Sequence, residues 1–207
     1  MKRSNLDAWT PVIGGATVAG HLTAWAQHKT AALTLTGHEL GEFTNFTPGA
    51  GVFANEWFFL PVWAAGLALG IAAARARRTG TRLGLAGFGL FTAQFGLPRY
   101  ERWTNPEFRA QLLITIAVLV LIILLAAGLS LLQRGDSLAV RLAASGLPIL
   151  SAVPLAGYLV VRPFIEALYR DAVGLGAGWW LTACAIAGGV AQVVVIARNV
   201  TREDVTT

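Results

Sequence analysis

The stretch LLITIAVLVLIILLAAGLSLL, residues 112–132, decides the fold. It runs 21 residues without a charge and is bulky and branched nearly all round. About 20 apolar residues cross the hydrocarbon core of a bilayer, so this segment reads as a transmembrane helix with much of its surface in lipid. The rest of the chain agrees with it. Of 207 residues, 55% are hydrophobic and 13% charged, and the mean hydropathy is +0.60; a soluble domain normally carries about 25% charged residues.

Working outward, apolar runs predict six helical spans at about 8–27, 57–74, 83–98, 112–132, 138–161 and 175–197, with an outer loop at 28–56. The expected fold is an all-α polytopic membrane protein forming a single transmembrane domain over 1–207. The third run, LGLAGFGLFTAQFGLP, is short and glycine-rich, which suits a tilted, bilayer-thinning or re-entrant segment. Pro148 and Pro154 should kink the fifth, because each removes a backbone donor. Lys2 and Arg3 ahead of an apolar stretch ending in Ala24-Trp25-Ala26 resemble a secretory signal. However, Asp7, Trp9 and His21 interrupt the stretch and it lacks a leucine-rich core, so a retained first span is expected.

Charge sets the expected orientation. With the N-terminus inside, ten of the 16 Lys and Arg residues lie on the cytoplasmic side, and the cluster RARRTGTR at 75–82 anchors that face. Both termini are then cytoplasmic, in a multi-pass cell-membrane protein. The net charge of +5 is spread over separate short loops, so nucleic acid is not expected as a partner.

The outer side is where the sequence is unusual. Fifteen of the twenty aromatic residues fall there, whereas an aromatic belt would populate both interfaces. GLPRYERWTNPEFRAQ and VVRPFIEALYRDAVG read as short interfacial helices which, with the first loop, build a structured cap. Its candidate ligand- or partner-binding residues are Glu39, Glu42, Glu56, Trp57, Arg99, Glu101, Arg102, Trp103, Arg162 and Glu166. The competing structural reading pairs Arg99, Arg102 and Arg162 with Glu101, Glu107 and Glu166 in mutual loop packing.

Catalytic and cofactor signatures are sparse. HELGE places His38, Glu39 and Glu42 at the spacing H-E-x-x-E, but a zincin needs histidine at the fourth position. Gly37 and Gly41 disfavour a helix there, and TAALTLTG before it alternates like a strand, so a solvated turn or hairpin edge is expected rather than a metal centre. A bis-histidine haem is not expected either. His21 and His28 lie i, i+7 on one helix face and cannot clamp iron from opposite sides. His21 is expected to be a packing residue hydrogen-bonded to a neighbour. There is no nucleophile elbow and no phosphate-cradling loop. Asn45-Phe46-Thr47 matches a glycosylation sequon, with Pro48 behind it making coincidence the better reading. The single cysteine, Cys184, allows no intrachain disulfide. No enzyme activity, catalytic residue, metal or cofactor is therefore expected.

Small residues mark the expected packing faces: Gly15, Ala16, Ala19 and Gly20 in the first helix, Gly66 and Gly70 in the second, Ala185 and Gly189 in the sixth, and Gly174 to Gly178 at its outer end. The partners implied are the lipid bilayer and either another membrane protein or a second copy. Together these features predict a non-catalytic subunit or partner-binding protein of a larger membrane assembly. An alternative comes from similarity. Six helices, about 200 residues, both termini inside and the small stripe from Ala16 to Gly20 resemble the substrate-capturing components of energy-coupling-factor vitamin transporters. That resemblance implies a small-solute-binding permease subunit.

Overall fold

The computed structural model describes residues 4–27, 34–44, 55–127 and 138–205, with side chains from 9–27, 34–44, 56–127 and 140–198. His28, the sequon at Asn45, Arg134, Asp136 and much of the first loop lie outside the described residues. Helices dominate: α1 (Ser4–Leu22), α2 (Gly37–Thr44), α3 (Leu60–Arg75), α4 (Thr79–Ala93), α5 (Arg109–Ala126), α6 (Leu138–Gly146), α7 (Ala152–Tyr169) and α8 (Ala177–Val205). Three short strands, β1 (Ala24–Gln27), β2 (Thr34–Thr36) and β3 (Gly174–Leu175), form one antiparallel sheet in the order β2-β1-β3. Among the described residues four helical runs are long and apolar enough to cross a membrane: Glu56–Arg75, Pro106–Ala126, Val140–Tyr169 and Ala177–Arg198. The chain is a membrane protein.

The helix α3 is the hub. It packs against α1, α4, α5 and α6, and its glycines explain how it accommodates so many neighbours. A Cβ on Gly66 would lie 2.9 Å from Ala93 Cβ and 3.0 Å from the Gly89 carbonyl, and one on Gly70 would lie 3.2 Å from Ile122. Glycine at these positions lets α4 and α5 approach to backbone distance, which is how helices associate where lipid supplies no hydrophobic drive. Phe59, Val62, Trp63, Ala93, Val118 and Ile122 fill the resulting core. Where α4 ends, the Trp63 indole N–H donates to Thr115 Oγ1 at 3.0 Å, while Thr115 Oγ1 and Gln111 Nε2 donate to the Gly96 carbonyl at 2.8 and 2.9 Å. These bonds satisfy groups that burial would otherwise strand.

Several expected boundaries shift. The first span does not run as a helix to 27: α1 stops at Leu22 and the chain turns into β1, which is claimed by the sheet and by Trp25 Nε1 donating to the Gly20 carbonyl at 2.7 Å. The third run is helical over Thr79–Ala93, 15 residues or about 22 Å against a hydrocarbon core of about 30 Å. The fifth kinks at Pro148, where a 3-10 turn (Leu147–Ser151) joins α6 to α7. Pro154 sits in the first turn of α7, where a missing N–H breaks nothing. VVRPFIEALYR is not a separate interfacial helix, because α7 continues through Pro163 to Tyr169 and ends at Arg170 in a left-handed conformation with φ 53°. GLPRYERWTNPEF is made of short 3-10 turns. As its composition implies, α5 leaves Leu113, Ile116, Val120, Leu121, Ile123 and Leu124 exposed.

The small-residue faces are used mostly inside the chain. Gly20 faces Thr182 and the Gly178 carbonyl, Gly178 faces Trp25 and Thr23, and a Cβ on Gly189 would lie 3.3 Å from the Ser145 carbonyl of α6. Three positions depart from the expected packing role: Gly15 makes only ordinary contact with Phe88, Ala19 is exposed, and Gly174 belongs to β3 rather than α8.

Candidate functional site: a capped histidine pair and an apolar groove

The ends of α1, α3, α4, α5, α7 and α8 converge on one cap. Its base is a core of Trp25, Ala26, Leu40, Phe58, Leu155, Tyr158, Val161, Ile165 and Val173. The sheet ties the chain leaving α1 to the chain entering α8, through Ala26 opposite Leu175 and Gln27 opposite Gly174. Strand β2 then delivers HELGE.

HELGE is not a solvated turn. It forms α2, and the reason lies one residue upstream of Gly37. The Thr36 backbone N–H donates to Glu39 Oε2 at 2.8 Å while the Glu39 N–H donates to Thr36 Oγ1 at 3.2 Å, a reciprocal capping box that offsets the helix-weakening glycines. Glycine also makes the fit possible. A Cβ at 37 would lie 2.9 Å from His21 Nδ1 and 3.2 Å from Trp25, and one at 41 would lie 2.8 Å from Phe59.

Seating α2 this way brings together two histidines that the sequence leaves 17 positions apart. The His21 and His38 ring centres are 6.2 Å apart with perpendicular planes, and Phe59 lies 5.9 Å from one and 5.3 Å from the other. His21 is fully buried and, among the described residues, neither ring nitrogen has a hydrogen-bond partner, contrary to the expected bond to a neighbour. His38 Nδ1 is likewise buried without a partner. Burial holds the His38 imidazole below its ordinary pKa; the Glu42 charge and a hydrogen bond to the Phe95 carbonyl pull it back up, Arg99 opposes them and Glu39 assists.

Above the pair, Glu42 gathers two arginines: Arg99 Nε at 3.7 Å and Arg102 Nη1 at 3.5 Å. The sequence neighbours Glu101 and Glu107 are therefore not what the two arginines reach for; the partner comes from α2, which the pairing of β1 with β2 brings near. Arg102 also stacks over Phe108 at 4.9 Å. Glu101 and Trp103 are exposed, with the Trp103 indole donating to the Pro98 carbonyl at 3.0 Å. Glu56 is half-buried and Trp57 exposed at the start of the α3 run. Arg162 and Glu166 form the expected pair at 2.9 Å one turn apart on α7, and Glu166 also accepts the Val173 N–H at 3.1 Å, so this pair pins the entry to β3 apart from the Glu42 cluster.

A second feature lies along the membrane-spanning face. Between α1 and α8, an apolar groove of about 420 Å³ runs past Trp9, Val12, Ala16, Cys184, Gly188 and Ala191. Gln192 Nε2 donates to Thr10 Oγ1 at 3.3 Å beside it. Sequence reasoning named Ala16 and Ala185 as packing residues without seeing that a small floor would remain open between bulky walls. It weighed the histidines along one helix and missed the pairing of His21 with His38. The usable signal was the alternating strand before HELGE, which reverses the chain. No family model, curated protein or solved structure matches this chain.

Proposed function

We propose that this chain is a non-catalytic subunit of a larger membrane assembly, and that it seats an apolar helix of a partner protein in the groove between α1 and α8. The groove carries this reading. Its floor is small (Ala16, Ala185, Gly188) and its walls are bulky (Trp9, Val12, Leu181, Val195). Lipid tails adapt to any apolar surface, whereas small residues at a helix face are what close backbone approach by another helix requires. In this reading six helices cross the cell membrane, with α4 as the shortest crossing. The arginine-rich turn at 75–82 and both termini lie in the cytoplasm and the cap lies outside.

A solute-capturing permease subunit needs a cavity beneath its cap. There Trp25, Leu40, Phe58, Tyr158 and Ile165 are fully buried against one another, which supports the subunit reading. Cys184 is exposed, lines the groove and is the one cysteine in the chain, so it serves as a native cross-linking handle. Purification from the source membrane in mild detergent, with a photo-cross-linker on Cys184, should recover one stoichiometric partner joined through an apolar helix. Ala191→Trp, which fills the groove from an exposed position, should abolish the adduct. A lone monomer from native mass measurement, with no adduct, refutes the proposal.

A further inference from the structure

An imidazole is an expensive core residue when nothing engages it. Each buried polar group left without a partner costs about 1–3 kcal/mol, and His21 carries two such nitrogens at zero exposure. Leucine or phenylalanine would fill the same space without that penalty. The chain instead places a second buried imidazole beside the first.

The tautomer of His38 can be assigned. Its ring hydrogen-bonds the Phe95 carbonyl, which only a ring N–H can do, and Nδ1 has no partner. The proton therefore sits on Nε2, and Nδ1 keeps a lone pair facing the buried interior. A backbone carbonyl that fixes one nitrogen so that the other can coordinate is the usual outer support of a metal-bound histidine. Neutral His21 offers a lone pair of its own.

Spacing points the same way. Two imidazoles sharing one ion from opposite sides put their ring centres roughly 6 Å apart, allowing about 2 Å from ion to nitrogen and about 1 Å from nitrogen to ring centre. The observed separation is 6.2 Å. Phe59, 5.9 Å from one ring centre and 5.3 Å from the other, supplies an aromatic wall beside the pair. The same ring excludes haem, because a porphyrin plane between the histidines would have to pass through it.

Donor number selects the ion. Among the described residues no group of three or more His, Cys, Asp or Glu side chains is placed to hold a metal, and Glu42 is engaged by Arg99 and Arg102. Structural zinc requires four ligands, and calcium and magnesium require oxygen donors. Two neutral nitrogens in an apolar, aromatic-walled site suit a monovalent ion that is stable with two ligands and costs less to desolvate than a dication. We propose that His21 and His38 hold one copper(I) ion between them at the base of the cap. No redox step is involved, and the site is independent of the α1–α8 groove.

The test is an anaerobic titration of the full chain in detergent with copper(I), in competition with a chromogenic copper(I) chelator. Wild type should retain one equivalent, with X-ray absorption showing nitrogen neighbours only. His38→Gln and His21→Gln should each weaken retention by 100-fold or more, while Cys184→Ser, which removes the chain's only thiol, leaves it unchanged. The absorption spectrum of the wild-type protein reads the ligand set even if a histidine variant fails to fold. Failure to retain one equivalent, sulfur in the metal's first coordination shell, retention unaltered in both histidine variants, or tighter stoichiometric binding of zinc would each overturn the assignment.

Discussion

Replacing Gly66 by alanine adds a single methyl group where α3 and α4 touch. The new Cβ would lie 2.9 Å from Ala93 Cβ and 3.0 Å from the Gly89 carbonyl. Neither neighbour can rotate away, since one is a one-carbon side chain and the other is backbone. Ordinary contact begins at 3.4 Å, so the helices must part by about half an ångström along a shared core. Overpacking of this kind costs about 1–3 kcal/mol. Alanine recovers about 1 kcal/mol of helix propensity over glycine, so the net loss is roughly 0–2 kcal/mol, or up to about 8 °C in melting temperature for a chain of this size. Gly87 on α4 supplies the control, because a Cβ there meets nothing within 4 Å; Gly87→Ala should be neutral or stabilising by up to about 1 kcal/mol. Adding Ala93→Gly to Gly66→Ala removes the 2.9 Å contact but not the carbonyl one, so rescue should be partial. Thermal unfolding in mild detergent, followed by tryptophan fluorescence, reads all four proteins. A Gly66→Ala variant that melts above wild type, or as high as Gly87→Ala, would show that backbone approach at Gly66 does not hold α3 to α4.

The cap should lose stability in acid. The His38 pKa is lowered on folding from its ordinary 6.5, so below that pH the unfolded chain binds more protons than the folded one. The stabilisation is complete above about pH 6.5 and declines as pH falls toward the folded value. Melting between pH 7.5 and 5 should show this slope in wild type and a shallower one in His38→Gln; identical slopes would remove His38 as the cause. The capping box gives an orthogonal test. Glu39→Ala should destabilise by about 0.5–2 kcal/mol and raise hydrogen exchange across Gly37–Thr44, whereas Glu39→Gln, which can still reach the Thr36 N–H, should stay close to wild type. Equal exchange in the two variants would refute the box as the determinant of α2.

Composition and run length were enough to place this chain in a membrane, because solvation by lipid acts on each segment separately. The exposed, branched surface of α5, the kink at Pro148, the Arg162–Glu166 pair and the strand before HELGE follow from residues near one another in the chain. So does the use of Gly66 as a packing residue, although its partners do not. Sequence periodicity misjudged the cases where distant segments compete for the same residues. The end of α1 is lost to a sheet whose third strand lies some 150 positions away. Arg99 and Arg102 turn from nearby carboxylates toward Glu42.

The helix at HELGE was legible in principle, since Thr36 and Glu39 form a capping box by spacing alone, yet the two glycines argued against it. Only packing shows that those glycines seat α2 on His21 and Phe59. The histidine pair depends on the same event. One hairpin reverses the chain, one glycine admits the helix, and the Phe95 carbonyl orients a ring, three contacts that no local pattern encodes. Local composition and run length settle the solvent suited to this protein and the segments long enough to cross it. Folding in three dimensions sets which small faces are spent inside the chain, which groove stays open, and which buried imidazoles come to lie side by side, because each of those outcomes depends on distances between residues far apart in the chain.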